Sequence, residues 1–478
     1  NYMSRTLDYD WNPDGTRASL TYPDGRVLTY TRDAVQCLSQ LKLPGGQAVN
    51  YAYDPLGRQT QVAYDNGTQM DYDYDATNRL TDLRNTAPDG TPIAWYAYEM
   101  DNVGNRTVIT EQRPLAPDAP VSTIVRRYTY DDLYRLNRST SSISQTHAMN
   151  WELDSVGNWE QRYGTPERVT GPLSVTYSLS AINALVQAGN WLYVYDRNGS
   201  RIAAYAPLTA TQHASLTTTF GLSATLIITY GYNYENRLTS VHKAIQYPYD
   251  ALSETMVISG ASHLSPTMEA RYLYDGLGRR VEKWVTTTIA PHEGVLITPT
   301  VLHRQYLYDG LGLIAEYEGQ NKATYYYRDG SRVVARETMT AADQADISWY
   351  HYDSLGSVVA LSDNGGNLHT VYRYDEYGQI LAGDTGENRL AYTGQEWDAE
   401  TGLYHFYARE YDAVAGVWMS QDSERGDSKE PLSLYRYNYV YGNPFKYRDS
   451  LGYQAIIVDP PGSMKFCQIP ILGDGNGR

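Results

Sequence analysis

The sequence predicts an all-β protein assembled from a long run of β-hairpins. Three observations predict it. A unit written roughly Tyr-x-Tyr-Asp-x-x-Gly-Arg recurs from one end of the 478 residues to the other. Helix-forming patterns are nearly absent. The aromatic content is lopsided, with 47 Tyr against 4 Phe. Length alone suggests two or three domains, but repeats that pack only on their neighbours escape that rule.

The clearest copies are Tyr51-Ala52-Tyr53-Asp54 with Gly57-Arg58, and Tyr272-Leu273-Tyr274-Asp275 with Gly278-Arg279. Tyr306 to Asp309 leads to Gly312, and Tyr372 to Asp375 leads to Gly378. Weaker copies centre on Asp75, Asp101, Asp131, Asp154, Asp196, Asp329 and Asp353, with Glu235 taking the Asp position once. The period-two spacing puts both tyrosines on one face of a strand. The Asp that follows can bond main chain two residues on and start a turn. Gly three residues later supplies the positive φ of a tight hairpin, and Arg opens the next strand. One hairpin is marginal alone, so consecutive hairpins are expected to pair edge to edge into a long twisted sheet. Ser/Thr/Ala-rich stretches such as Thr209–Thr219 widen the interval between Asp154 and Asp275 and read as longer strands or loops, with an inserted domain as the other reading. Arg113–Pro120 reads as an extended loop, and residues 341–346 as at most one helical turn. Tyr gives no advantage in a sealed apolar core, because each buried hydroxyl needs a partner. The composition therefore points to a sheet with one hydrated face, not a dry sandwich.

A net charge of −16 argues against nucleic acid, whose affinity rests on Lys and Arg neutralising phosphates. It also disfavours an anionic membrane surface; solubility is the plain reading of the acidity. No run of eighteen apolar residues crosses a bilayer. Asn1 opens directly into strand-like sequence, as a segment of a longer polypeptide would. Cys37 and Cys467, the only cysteines, make neither a disulfide framework nor a zinc site and read as structural or incidental. The histidines show no paired metal-ligand spacing, so no metal and no cofactor is expected.

The stretch from Asn388 to Tyr453 is the densest in recognisable blocks: Tyr392-Thr393-Gly394-Gln395-Glu396, Thr401-Gly402-Leu403-Tyr404, Ala408-Arg409, Tyr411-Asp412, Asn443-Pro444 and Asp449-Ser450-Leu451-Gly452. It closely resembles the Rhs-associated core of bacterial polymorphic toxins and related surface proteins, and the recurring unit resembles their YD repeat. The resemblance implies a spiral sheet of hairpins closed into a hollow shell or barrel and capped by that core. It divides the chain into a shell (1–387), the core (388–453) and a tail (454–478) that starts a variable effector region and lies in the lumen. A short tail such as this is too small to fold as an effector without staples; its apolar start, Ala455-Ile456-Ile457-Val458, could lie against the lumen wall.

In Rhs cores that cut themselves, two aspartates are the proposed catalytic pair. Matched residue by residue they are Asp422 and Asp449, with the scissile bond after Tyr453, before Gln454. Two carboxylates sharing a site cannot both ionise easily, so one can activate water while the other donates a proton to the peptide carbonyl. Four departures bear on this: Val417 replaces Arg, Ser423 and Ser450 replace prolines, and Tyr453 replaces Leu. The other reading makes both residues turn-forming Asp, like those of the repeats. Asp384-Thr385-Gly386 is a chance match to pepsin-like proteases. Asp71, Asp73 and Asp75 imitate a calcium loop but lack its Gly and its final Glu. Asn66, Asn105, Asn137 and Asn198 head glycosylation sequons. Tyr rows could stack on sugars, but their place in every repeat reads as structural ladders.

Two functions remain in view. One is an encapsulating shell, secreted or at the bacterial cell surface, whose partners are its own C-terminal segment and a secretion or delivery machinery. The other is a teneurin-like adhesion or scaffold module that binds glycans or a cell-surface partner. An aspartyl peptidase acting only on its own chain could coexist with either.

Overall fold

The computed structural model describes residues 5–144, 147–167, 172–208, 224–246, 264–288, 299–319, 322–339, 345–383, 386–427 and 431–458. Among these there is no α-helix, only short 3-10 turns. One antiparallel meander of 29 strands runs from β1 (Asp8–Trp11) to β29 (Leu368–Val371), each strand paired with the next in sequence. Then come a pair, β30 (Arg373–Tyr374) and β31 (Ile380–Ala382), and a four-stranded sheet of β32 (Glu396–Asp398), β33 (Leu403–Phe406), β34 (Arg409–Asp412) and β35 (Val417–Trp418). A last pair joins β36 (Tyr447–Asp449) to β37 (Ala455–Ile457).

The turns follow the chemistry of the repeat. At Asp54, Oδ1 accepts the N–H of Leu56 at 2.9 Å and of Arg58 at 3.0 Å, and Gly57 takes φ +80. The register slips at Tyr53, which marks a bulged hairpin. Arg58 Nε closes on Asp54 Oδ2 at 2.6 Å while Nη1 reaches Asn78 Oδ1, in the next such turn, at 2.9 Å. Asp75/Arg79 and Asp131/Arg135 repeat the pattern, each Arg donating onward to the carbonyl of Asp101 or Asp154. One copy differs from expectation. Asn233, not Glu235, caps its turn, accepting from Glu235 and Arg237 N–H. Asp309 departs further: only two residues link it to its partner Gly312, and its carboxylate is spent on Arg17.

At many of these turns the tyrosine before the Asp donates its hydroxyl to a main-chain carbonyl of the preceding hairpin, whereas the Tyr195 hydroxyl accepts from Arg201 Nε at 3.2 Å. Tyr53 bonds Leu38 O (2.9 Å), Tyr74 bonds Gln59 O (2.8 Å), Tyr130 bonds Arg106 O (2.7 Å), Tyr274 bonds Leu238 O (2.7 Å) and Tyr352 bonds Val333 O (2.6 Å). The strands alternate buried and exposed residues, so the sheet has its hydrated face, but the tyrosines lie on the buried one, and the partner each of these hydroxyls meets is backbone rather than water. Tyr326, Tyr327 and Tyr350 are fully buried.

Closure also differs from expectation. Among the described residues, strand β1 pairs only with β2 (Arg17–Thr21) and β29 only with β28 (Val358–Ser362), so backbone bonding there does not close the sheet. Instead the meander coils, and the faces of residues far apart in sequence meet. Tyr22 packs edge-on against Tyr325 and Tyr327, and Tyr64 against Trp349. Tyr22 and Tyr64 hydroxyls reach the carbonyls of Tyr326 (3.1 Å) and Tyr350 (3.0 Å), and Arg113 Nη2 reaches those of Val359 and Tyr372, both at 2.8 Å. Layers that meet face to face leave strand edges unpaired, and the main core lies between them.

The remaining differences are local. Arg113 and Pro114 belong to a strand, Arg106–Pro114, which leaves only 115–120 as loop. Ala345 and Asp346 open the strand Ala345–Tyr352, while 341–344 and Thr209–Thr219 lie outside the described residues. Cys37 is buried, in keeping with a structural role; Cys467 lies outside the described residues. Ala455 and Val458 pack against the core cluster.

The C-terminal segment lies over the turns of the Asp series. Lys446 Nζ bonds Val103 O (2.9 Å), Asn443 Nδ2 bonds Tyr134 O (2.8 Å), Tyr437 hydroxyl bonds Gly199 O (2.7 Å) and Tyr404 hydroxyl bonds Gly378 O (2.8 Å). Leu355 and Tyr377, in the turns starting at Asp353 and Asp375, are buried. The corresponding Leu56 and Leu277 stay exposed at 72% and 63%.

Candidate active site

One guanidinium brings the two predicted aspartates together. Arg409 opens β34 directly after a two-residue turn in which Tyr407 takes φ +51. Its Cζ lies 4.2 Å from the centre of the Trp418 ring. Nη2 stands 2.7 Å from Asp422 Oδ2 and 3.6 Å from Asp449 Oδ2. Nε donates to Gly452 O at 2.5 Å, and Nη1 to Arg436 O at 3.3 Å. The same side chain therefore touches both carboxylates and the main chain beside the predicted scissile bond. Burial pulls its basicity below the ordinary arginine value, against the two acids that hold it charged.

Asp449 ends β36 and is 3% exposed. Its Oδ1 accepts three successive N–H groups, from Leu451 (3.0 Å), Gly452 (2.7 Å) and Tyr453 (3.2 Å). Burial raises its pKa above the usual carboxylate value, against the opposing pull of Arg409 and those N–H groups. Asp422 is more open. Its Oδ1 accepts Glu424 N–H at 3.0 Å, and its carbonyl accepts Arg436 Nε at 2.8 Å. Each aspartate thus spends Oδ1 on a turn and presents Oδ2 to Arg409. Turn-forming and chemical roles are compatible in this geometry. One acid is buried and the other more accessible, the asymmetry that separates acid from base in carboxylate pairs.

The bond Tyr453–Gln454 lies in loop 450–454, which joins β36 to β37. Gly452 takes φ +76, and a Cβ there would come 2.7 Å from Phe406 O and 3.1 Å from Arg409 N. Only glycine lets this loop press on the Phe406–Arg409 turn. Tyr453 is 43% exposed, its ring edge-on to Tyr407.

Val417, where the Rhs pattern has Arg, is buried in β35 and carries no charge to the site. Arg409, one strand over, supplies a cation. The sequence reading counted Arg409 only within a matching block. The signal was present: a lone cation between Phe406 and Trp418, in a hairpin this aromatic, requires buried acidic partners. Ser423 and Ser450 stand where the pattern has proline, and both Asp turns form without it.

Asp375 and Glu376 form a second carboxylate pair beside a polar cavity of about 80 Å³. Asp375 bonds Arg162 at 3.0 Å and the N–H groups of Tyr377 and Gln379; burial raises its pKa. Burial also pushes Glu376 up, but His147, Arg126 and Ser139 hold it at about 2. Both serve the turn and its neighbours. The other sequence motifs dissolve into structure. Asp71 bonds Gln61, Asp73 pairs with Arg84 and Asp75 caps its own turn. Asn66 and Asn105 are buried and hydrogen-bonded, which removes two of the four sequons as surface acceptors. Asp384 and Thr385 lie outside the described residues.

Residues 173–445 match the family model described as the teneurin YD-shell. The chain belongs to the YD-shell family. This YD-shell chain is 26% identical over 325 residues to the tRNA3(Ser)-specific nuclease WapA of Bacillus spizizenii, covering 66% of this chain and 11% of that protein. It is 28% identical over 183 residues to Teneurin-4 of Mus musculus, 36% of this chain and 6% of the teneurin. Among solved structures it superposes on TcdB2-TccC3 with a TM-score of 0.70 at 18% identity, covering 94% of this chain and 22% of that one. The structural likeness speaks to the fold, an all-β Rhs/YD sheet. The YD-shell chain spans about a tenth of the length of its WapA relative.

Proposed function

We propose that the chain is the wall and lid of a container that encloses the polypeptide following its core, and that Asp422 and Asp449 cut that polypeptide free after Tyr453. In this reading 1–387 form the wall, 388–453 the lid and cutting site, and 454–478 the start of the enclosed segment. The observation that carries it is the row of bonds from Tyr404, Tyr437, Asn443 and Lys446 onto the tips of hairpins spread across the sheet. A lid must grip a wall in this way. Nuclease and deaminase names among the relatives support an enclosed toxin. The teneurin relatives support a second reading, a cell-surface adhesion module with a glycan or protein partner. A secreted or cell-surface bacterial protein served by a delivery machinery suits the first.

For the cut, Asp422 takes a proton from water as the water oxygen bonds to the Tyr453 carbonyl carbon. Asp449, the more buried acid of the pair, donates a proton to the carbonyl oxygen. Collapse breaks the C–N bond as Asp422 passes its proton to the Gln454 nitrogen, and the new Tyr453 carboxyl gives a proton back to Asp449 and leaves as a carboxylate. Arg409 is a positioning residue that holds Asp422 and the Gly452 carbonyl. The chain expressed with roughly 100 native downstream residues, enough for a folded cargo, is expected to yield a fragment beginning at Gln454. That fragment disappears in Asp422→Asn and Asp449→Asn. A folded protein with no such fragment removes the cutting reading.

A further inference from the structure

The proposed cut separates two strands that are hydrogen-bonded to each other. We infer that the strand downstream of the cut, β37 with Val458, is a clasp that keeps the start of the enclosed segment seated on the core before and after cleavage. The inference rests on the self-cleavage reading for the position of the cut, but not for the existence of the clasp.

The register pairs Asp449 with Ala455, Arg448 with Ile456 and Tyr447 with Ile457. One residue further, Val458 N–H donates to Lys446 O at 2.7 Å. Ala455 and Val458 pack against the main core, while Ile457 is 54% exposed. The receiving strand is anchored independently. Lys446 Nζ holds Val103 O at 2.9 Å, Tyr447 N–H donates to Asn443 O at 3.2 Å, and the Tyr447 ring stands edge-on to Tyr441. None of these contacts involves the Tyr453–Gln454 bond, so hydrolysis leaves both strands and their ladder intact. It turns a hairpin into a two-chain strand pair whose guest is this chain's own segment, by the physics of strand addition to a sheet edge.

A three-residue strand is marginal alone, so the clasp is reversible by design of its length. It holds while the guest remains confined at high effective concentration and lets go once the guest can diffuse away.

Hydrogen exchange read by mass spectrometry tests this without relying on self-cleavage. The full chain carries a foreign protease's recognition sequence inserted between Tyr453 and Gln454, and is measured in reducing buffer so that no disulfide can retain the cut segment. Lengthening a loop costs little, so segments 446–449 and 455–458 are expected to exchange at least about tenfold slower than the inserted loop. After the foreign protease cuts, the unseparated mixture keeps slowed exchange in both segments, and Ile456→Pro abolishes it in both. Protection lost on insertion or on cutting as completely as in Ile456→Pro overturns the clasp, as does protection that Ile456→Pro leaves unchanged. Absence of a native Gln454 terminus in the chain without the insert would sink self-cleavage and leave this result standing.

Discussion

A tyrosine that precedes a turn Asp carries one hydroxyl, and at turns such as those of Asp54 and Asp353 that hydroxyl ties one hairpin to the one before it. A phenylalanine would pack the same ring and leave a buried carbonyl without its donor. Tyr352→Phe, which removes a 2.6 Å bond to Val333 O in a dry interior, is therefore expected to cost about 1–2 kcal/mol. Urea denaturation of the folded chain measures it. The excess of Tyr over Phe was visible in the sequence, and so was the need of every hydroxyl for a partner. The partner's identity was not, because water and a neighbouring strand's carbonyl satisfy a phenol equally well and composition cannot tell them apart. Which acids Arg409 meets was illegible for a related reason. Charge balance around a buried cation is a property of three segments that meet only in the folded chain, at Arg409, Asp422 and Asp449.

At the scale of the hairpin the sequence was far more informative, since turn chemistry is local. Asp54, Gly57 and Arg58 act in the structure as their spacing requires. Glu235 has no capping role because Asn233, two residues earlier, caps the turn as well as Asp does. Asp309 could not be anticipated, because its partner Arg17 lies about 300 residues away by sequence. Not every turn has glycine at its left-handed position. Gln36 takes φ +71 in the turn from Asp33 to Cys37 and is exposed there. A side chain in this region costs roughly 1–2 kcal/mol, part of which returns as unfolded-state entropy when glycine replaces it. Gln36→Gly is expected to raise stability by about 0.5–1 kcal/mol, seen as a higher urea midpoint with unchanged slope. Val35, exposed in the same turn but without a left-handed φ, offers the control: Val35→Gly should lower the midpoint or leave it unmoved.

Across the whole molecule, the hairpins are not a simple one-dimensional stack in which each unit answers only to its neighbours. Coiling brings distant layers together, and the C-terminal segment fastens them with buried charge. Arg280 reaches Asp398 at 2.6 Å and Glu396 at 3.0 Å, and Lys283 reaches Asp398 at 2.9 Å. Arg389 spans Glu396 and Glu316, each at 3.0 Å. The sheet contributes Arg280, Lys283 and Glu316, all nearly fully buried; residues 389–398 contribute the rest. Attraction within such a cluster roughly offsets the desolvation of its members, so its presence adds little net stability. Removal of one side is another matter, because it strands charges that water cannot reach, at about 3–5 kcal/mol for each broken pair. A chain truncated after Glu387 leaves Arg280 and Lys283 without their acids and uncovers Leu355 and Tyr377 as well. It is expected to lose cooperative thermal unfolding and to accumulate as insoluble protein, although every hairpin of the large sheet is still encoded. Restoring solubility with Arg280→Met and Lys283→Met in the truncated chain would trace the defect to stranded charge. A truncated chain that melts as sharply as the full one would mean that the hairpins need no lid to fold.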